Sequence, residues 1–319
     1  MAEERLRLLV KVSSMYYLEG MNQQDIALKL GISRPQISRM LGAAKSEGIV
    51  QITIKNPFSE EQQVEKELID VFGLQDALVV HMPGADRQLL DAQLARAGAV
   101  LLENVLKDRD VVGVMAGKSV AATGAELQFS IQKHLQIVPL VGGWGATGTA
   151  WHANANAKTI GEKLKSAYWQ LNAPAIVASE QAREVFLQEV EIAKVLALAA
   201  KASTALVGIG QVSKEATIVQ SGHMGMKELD ELRSIGAVAN ICTAFINERG
   251  EAVPHSSEGR MIGLDANALK VIPNVVAVAG GEDKVIAIAA ALRGKWASTI
   301  VTDMFTAQQV LEWHRDHPL

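Results

Sequence analysis

From residue 74 onward the chain is punctuated by eight short apolar runs, at 77–80, 111–114, 137–141, 175–178, 205–209, 238–245, 275–279 and 298–302. Ala- and Leu-rich helical stretches separate most of them. Short apolar runs without polar alternation are what strands look like when both faces of a sheet are covered. Their succession with helices predicts repeated β-α units, hence a doubly wound parallel sheet with helices on both faces. Composition agrees, because hydrophobic residues make up 49% and aromatics only 4%, so the apolar content is mostly Ala, Val, Leu and Ile. At 319 residues the chain is long enough for two or three domains. Its one cysteine, Cys242, excludes an internal disulfide framework. No apolar run reaches membrane-spanning length and the start, Met-Ala-Glu-Glu-Arg, lacks signal-peptide character, so no membrane partner and a cytoplasmic location are expected.

The N-terminal 56 residues follow a different pattern. Leu6, Leu8, Leu9, Val12, Met15, Tyr16 and Leu18 fall at helical spacing and predict a first helix over about 4–20, closed at Gly20. Asn22 is a good N-cap for a second helix, with Asp25 favourably placed in its first turn. Gly31 fits the left-handed position that stops it. Ser33, Pro35 and Gln36 form the capping pattern of a third helix. Ile26, Leu30, Ile32, Ile37, Met40 and Leu41 supply a small core, and Ala27 and Gly31 are read as small residues that let the helices cross closely. This is the spacing of a helix-turn-helix, which lays its second helix in a DNA major groove. The alternating segment 49–54 after Gly48 predicts the strand of a wing.

Arg34, Gln36 and Arg39 are the candidates for base contact, since Arg grips guanine O6/N7 and Gln pairs with adenine N6/N7. Gln23, Gln24, Ser38 and Lys45 suit phosphate contact. The charge distribution fits: residues 1–55 hold eight basic and five acidic residues, net +3, while the remaining 23 basic and 30 acidic residues give −7. An ordinary helical hairpin with a solvated polar face would show any one of these caps; their joint occurrence is what points to DNA. Segment 57–73 follows as a linker with Val64, Leu68, Ile69 and Phe72 on one helical side, either packed on the large domain or paired between subunits.

In the large domain, 74–319, four predicted strand ends carry glycine-rich loops, at 113–119, 142–145, 208–211 and 280–284. Glycines let backbone N–H groups approach a ligand, and a following helix N-terminus favours an anion. Gly117, Lys118 and Ser119, with Lys284 from the last loop, make a phosphate cradle; Gly142, Gly143, Gly210 and Gly281 are its backbone contributors. A nucleotide P-loop would need glycine at 112, where Val112 stands, so no nucleotide is implied. His152 and Asn154 either bond sugar hydroxyls or cap the helix that they precede. Trp144, Trp151 and Trp169 suit core or lid positions better than stacking platforms. No His/Cys/Asp cluster has metal spacing, so neither metal nor cofactor is expected.

Together these residues resemble the SorC/DeoR-type sugar-responsive transcriptional regulators of bacteria. The resemblance runs through the head, from Tyr17 to Ala27 and on to Arg39-Met-Leu41, and through Ile137-Val-Pro-Leu-Val-Gly-Gly143, His152-Ala-Asn154 and Leu206-Val-Gly-Ile-Gly210. It continues in the stretch from Ala277 to Lys284, in Ala287 to Arg293, in Val301-Thr-Asp303 and in Thr306-Ala307. It implies a winged helix-turn-helix joined to a larger α/β effector domain related to phosphosugar isomerases. It also implies double-stranded operator DNA and a phosphorylated sugar as partners, and a homo-oligomer, dimer or tetramer. The family's phosphate loop falls on Gly117, Lys118 and Ser119, with Lys284, and its sugar contacts on His152, Asn154 and Gln211. Many members carry Trp-Gly-Arg-Thr or a Thr pair where this chain has Ala116-Gly-Lys-Ser119, which leaves the sugar open.

The competing reading is an active sugar-phosphate isomerase or deaminase with an attached head. Such chemistry needs a placed acid or base beside a carbonyl. The related isomerases carry acids after the strand that here ends in Gln211, although Glu282 and Asp303 are candidates near the pocket. A site that keeps the phosphate grip but lacks the base binds without turnover, so no enzymatic activity is expected. Repression relieved by the sugar and effector-dependent activation both fit the sequence.

Overall fold

The structure, a computed structural model, describes residues 2–52, 58–84, 86–128, 130–143, 149–214, 216, 219 and 224–318. The chain forms two compact units, Met1–Pro57 and Phe58–Leu319.

The first unit is built from α1 (Ala2–Tyr17), α2 (Gln23–Leu30) and α3 (Arg34–Ser46). Asn22 caps α2, its Oδ1 accepting from the N–H groups of Gln24 and Asp25, both at 3.0 Å. Gly31 ends that helix at φ +68° and donates its N–H to the Ala27 carbonyl. A Cβ at Gly31 would meet nothing within 4 Å. The residue is therefore glycine for its left-handed backbone, not for a close helix crossing. Val12, Met15, Ile26, Ala27, Ile37 and Leu41 form the core, with Leu30, Ile32 and Met40 partly buried against it. Of the apolar residues on α1, Leu9 joins Val12 and Met15 in burial, whereas Leu6, Leu8 and the following Leu18 are exposed. The expected wing extends beyond the described residues at Thr53, and Ile49 to Ile52, which are described, carry no strand pairing.

The second unit opens with α4 (Ser59–Phe72), whose Val64, Leu68 and Phe72 enter the main core. Glu65 on this helix accepts the Val79 N–H at 2.9 Å. Of the two roles open to this segment, packing on the large domain is the one seen within the chain. The elements that follow are β1 (Asp76–Val80), α5 (Arg87–Val105), β2 (Val111–Val114), α6 (Lys118–Glu126), β3 (Gln136–Pro139), α7 (Ala153–Lys163) and β4 (Ala167–Tyr168). Next come α8 (Glu180–Gln188), α9 (Val190–Ala199), β5 (Thr204–Val207) and β6 (Gly210–Gln211). The unit ends with α10 (Met226–Ser234), β7 (Ala239–Ile241), β8 (Ala244–Ile246), α11 (Ala266–Lys270), β9 (Asn274–Val278), α12 (Val285–Arg293), β10 (Thr299–Asp303) and α13 (Met304–Asp316).

Seven strands form one sheet in the order β1-β10-β9-β5-β2-β3-β4, parallel throughout. The chain runs outward from β2 through β3 to β4. It then restarts at β5 on the other side of β2 and runs outward through β9 and β10. The order thus reverses between β2 and β5, the topological switch point beyond which ligands bind in such sheets. Alanine explains how tightly the helices sit: Ala287 to Leu292 of α12 are all buried, which small side chains permit on every face of a helix.

Two expected strands differ. Among the described residues the apolar run 175–178 makes one isolated bridge, Ile176 with Met261, and Pro174 just before it bridges Gly143. The run 238–245 splits into the antiparallel pair β7 and β8, turned at Cys242 with φ +52°. With β6 this hairpin forms a second, three-stranded sheet.

Asn22→Ala removes both acceptor bonds at the start of α2 and should destabilise the head by about 1 kcal/mol. Hydrogen exchange of the α2 amides should report it, with the α5 and α12 amides unchanged.

Candidate functional site

The C-terminal ends of β2, β5 and β9 open onto one cavity of about 440 Å³. From β2 come Gly117, Lys118 and Ser119; from β5, Gly208, Gly210 and Gln211; from β9, Gly280, Asp283 and Lys284. Three of the four glycine loops therefore converge. Gly117 is the N-cap of α6 at φ +139°, so that helix starts at the cavity wall with Lys118 and Ser119 as its first residues. Unpaired N–H groups at such a start attract an anion. The loop is anchored from behind: the Gly117 N–H donates to the Trp151 carbonyl at 2.8 Å, and Asn156 Nδ2 donates to the Met115 carbonyl at 3.0 Å. Lys118 Nζ lies 5.2 Å from the centre of the Trp151 ring, a cation–π contact at the cavity edge.

The remaining wall comes from residues that no sequence motif marked. Arg87, Asp91, Leu94 and Ala95 project from α5, and Asn240 and Cys242 from the β7–β8 hairpin. Asn240 is buried and donates Nδ2 to the carbonyls of Cys242 and Ala244. Burial pushes the Cys242 thiol up to about 12, so at neutral pH it is an uncharged wall atom and no nucleophile. A positional signal for Arg87 existed: Asp86 caps α5 directly after β1, which places the first residue of that helix at the ligand end of the sheet.

The other predicted contacts lie elsewhere. Gly142, Gly143, His152 and Asn154 do not line the cavity among the described residues. Gly142 is pressed on the main chain, where a Cβ would lie 2.6 Å from the carbonyl oxygens of Ala173 and Pro174. Gly143 exchanges backbone bonds with the same segment, its N–H to Ala173 and its carbonyl from Ala175. Asn154 spends its amide on Leu171, donating to the carbonyl at 3.0 Å and accepting from the N–H at 2.8 Å. His152 is the buried residue before α7, and its Nε2 has no partner among the described residues. Gly281 sits behind the wall at φ +111°, its N–H directed to Thr306 Oγ1 at 2.7 Å and Asp303 Oδ2 at 3.2 Å. Trp144 and Gly145 lie outside the described residues.

The site's electrostatics favour an anion. Lys284 is held below the ordinary lysine value of 10.5, first by burial and next by the Arg87 charge, with Lys118 adding to the effect and Asp283 and Asp91 opposing it. Among the described residues no carboxylate lies within ion-pair distance of Lys284 or Lys118. The carboxylates that line the cavity among the described residues, Asp91 and Asp283, lie 2.9 Å and 3.5 Å from Arg87. Asp303 is buried as the cap of α13, accepting from the Thr306 N–H and hydroxyl at 2.9 Å and 2.6 Å. Neither Asp303 nor Glu282 lines the cavity. No group of three or more His, Cys, Asp or Glu side chains among the described residues is arranged for a metal.

On the head, Arg34, Gln36, Ser38 and Arg39 form an exposed face of α3 opposite Ile37 and Leu41, with Lys45 also exposed. Gln23 is half-buried in the first turn of α2. Gln36 Oε1 accepts from both the N–H and the hydroxyl of Ser33 at 2.9 Å. A bidentate grip on adenine needs that oxygen as well as the amide nitrogen, so it requires the cap to open. The two arginines carry no such commitment beyond a long Arg39 Nε bond to the Pro35 carbonyl at 3.4 Å.

Comparison with known proteins supplies the context. The family described as "Putative sugar-binding domain" matches residues 56–312. The Deoxyribonucleoside regulator of Bacillus subtilis is 29% identical over 311 residues, covering 98% of this chain and 99% of the relative. Transcriptional regulator LsrR of Klebsiella pneumoniae is 31% identical over 317 residues, covering 98% and 94%. The crystal structure of the full-length sorbitol operon regulator SorC from Klebsiella pneumoniae superposes with a TM-score of 0.76 at 27% identity, covering 96% of this chain and 98% of that one.

Lowering of the Lys284 pKa has two opposite consequences. Between the lowered folded value and the unfolded value, the unfolded chain keeps the proton that the folded chain has released, so unliganded stability rises with pH through that window. Affinity for phosphate falls over the same window, because the cation facing the anion is lost. A phosphate monoester is already a dianion above its second pKa near about 6, so the ligand's own titration does not produce this fall. Calorimetric titration with inorganic phosphate at constant ionic strength should show the decline, and Lys284→Met should flatten it.

Proposed function

Because the chain belongs to the sugar-binding-domain family of sugar-responsive transcriptional regulators, we propose that its N-terminal helices bind operator DNA under the control of a phosphorylated sugar held at the β2/β5 switch point. The observation that carries this reading is the convergence of Lys118 and Lys284, neither paired with a carboxylate among the described residues, on a cavity rimmed by three glycine loops and the start of α6. The phosphate sits against Gly117, Lys118 and Ser119, with Lys284 facing it. Gln211 and Asn240 are the neutral polar groups within reach of the sugar. Arg34 and Arg39 read bases, and Gln23, Ser38 and Lys45 contact phosphates, while Gln36 trades cap for base when DNA binds.

The protein is a sensor without turnover in this reading. A proton-transfer enzyme keeps a carboxylate or histidine free to act on the substrate. Among the described residues no histidine lines the cavity, Asp91 is held within its own helix by Arg87, Asp283 lies against Arg87 in the empty site, and Cys242 is a neutral thiol. The regulator works in the cytoplasm as a symmetric oligomer, so that ligand-driven changes in subunit packing alter the spacing of paired heads and hence operator affinity.

A thermal-shift panel of phosphorylated and free sugars tests the ligand class. A ligand at one hundred times its Kd should add about 2.7 kcal/mol of stability. Phosphorylated sugars should raise the Tm, and Lys118→Ala should abolish the rise while leaving operator binding intact. Arg39→Ala should do the reverse. Shifts with free sugars alone, or isomerisation of a sugar phosphate by the purified protein, would overturn the proposal.

A further inference from the structure

Among the described residues that line the cavity, Arg87 is the cation already engaged by carboxylates. It is the first residue of α5, with Nε 2.9 Å from Asp91 Oδ1 and Nη1 3.5 Å from Asp283 Oδ1. Its Nη2 donates to the Gly280 carbonyl at 3.1 Å. The guanidinium lies directly over Gly281, where any Cβ would collide with Nη1. Residue 281 thus leaves open a seat that the arginine occupies. The contacts with Asp283 and the Gly280 carbonyl bridge α5 to the 280–284 loop, and that loop carries Lys284.

The contacts are unequal. The Nε–Asp91 pair is short and lies within one helix turn, while the Nη1–Asp283 pair is long and crosses between elements. Both carboxylates are half-exposed, so neither pair is strong. Counting formal charges among the described lining residues, Arg87, Lys118 and Lys284 stand against Asp91 and Asp283, a net of one positive charge. A phosphate monoester brings nearly two negative charges. Guanidinium is the better partner for it, since its planar fork donates two parallel bonds to a phosphate while an ammonium acts as a point charge.

We infer that Arg87 is a positioning residue for the ligand's phosphate, released from Asp283 when the anion enters while Asp91 keeps its stem in place. This deepens the phosphorylated-sugar reading and rests on it. The exchange draws the start of α5 and the 280–284 loop onto the same ligand. Asp283 is then a competitor for Arg87, and its charge weakens phosphate binding.

Titration of the full chain with inorganic phosphate, wild type against Arg87→Ala, Arg87→Lys, Asp283→Asn and Lys118→Ala, tests the assignment. Arg87→Ala should weaken binding by about tenfold or more, the scale of one lost charge-assisted contact, and Arg87→Lys should recover only part of it. Asp283→Asn should tighten binding severalfold in the wild type and by clearly less in the Arg87→Ala background, a coupling that loss of the Asp283 charge alone does not produce. Far-UV circular dichroism and ligand-free operator binding check that each variant is folded. If Lys118→Ala loses phosphate while Arg87→Ala and Asp283→Asn bind as wild type does, the role of Arg87 is wrong and the phosphate site stands. If wild type does not bind phosphate, or Lys118→Ala binds it equally well, both readings fall.

Discussion

The register of β2 against β5 governs the molecule's chemistry. Val112, Gly113 and Val114 pair with Thr204, Ala205 and Leu206, and the Met115 N–H still reaches the Leu206 carbonyl at 3.0 Å. Two neighbouring strands therefore leave the sheet at the same level and their chains diverge to opposite sides, as a switch point requires. A cleft opens between them without any side chain being removed to make it. Glycine at 117, 208 and 210 keeps it open, and β9 delivers Lys284 from the next strand along. The antiparallel β7–β8 hairpin closes the remaining side with Asn240 and Cys242.

That geometry carries an electrostatic cost in the empty protein. Lys284 is partly stripped of water beside two other cations, and the lowering of its pKa expresses the strain. An anion with the charge of a phosphate monoester removes it, which is how a site can favour phosphate without burying a metal or many hydrogen-bond donors. The same charges suit a sensor, because stabilisation released on binding is available to shift an equilibrium elsewhere in the molecule. The division of charge between a basic head and an acidic body suits a DNA contact confined to one small unit.

Much of this was legible in the sequence for identifiable reasons. Strands buried on both faces read as apolar runs, so β1, β2, β3, β5, β9 and β10 were visible. The run at 175–178 misled because apolar composition reports burial and not pairing; its backbone is laced singly to Gly143 and Met261. The break at Cys242 carried no signal, since a non-glycine residue at positive φ looks ordinary in sequence. The cap at Asn22 was readable because a side chain bonding its own neighbours leaves a local pattern. Asn154 shows the limit of that logic, because its pattern is the same whether the amide bonds a sugar or, as here, the Leu171 main chain. Asp91 and Asn240 are brought to the cavity by topology alone, from a helix and a hairpin far apart in the chain, whereas Arg87 had only the positional hint of the Asp86 cap before it.

The account's central claim is that one cavity and one DNA-binding head are thermodynamically coupled. Fluorescence anisotropy of labelled operator DNA, measured at fixed ionic strength across a graded series of a stabilising sugar phosphate, tests it most directly. Operator affinity should change by a saturable factor, and the sugar phosphate's own affinity should change by the same factor when DNA is bound, as linkage demands. Operator affinity that stays constant while the cavity fills would contradict it.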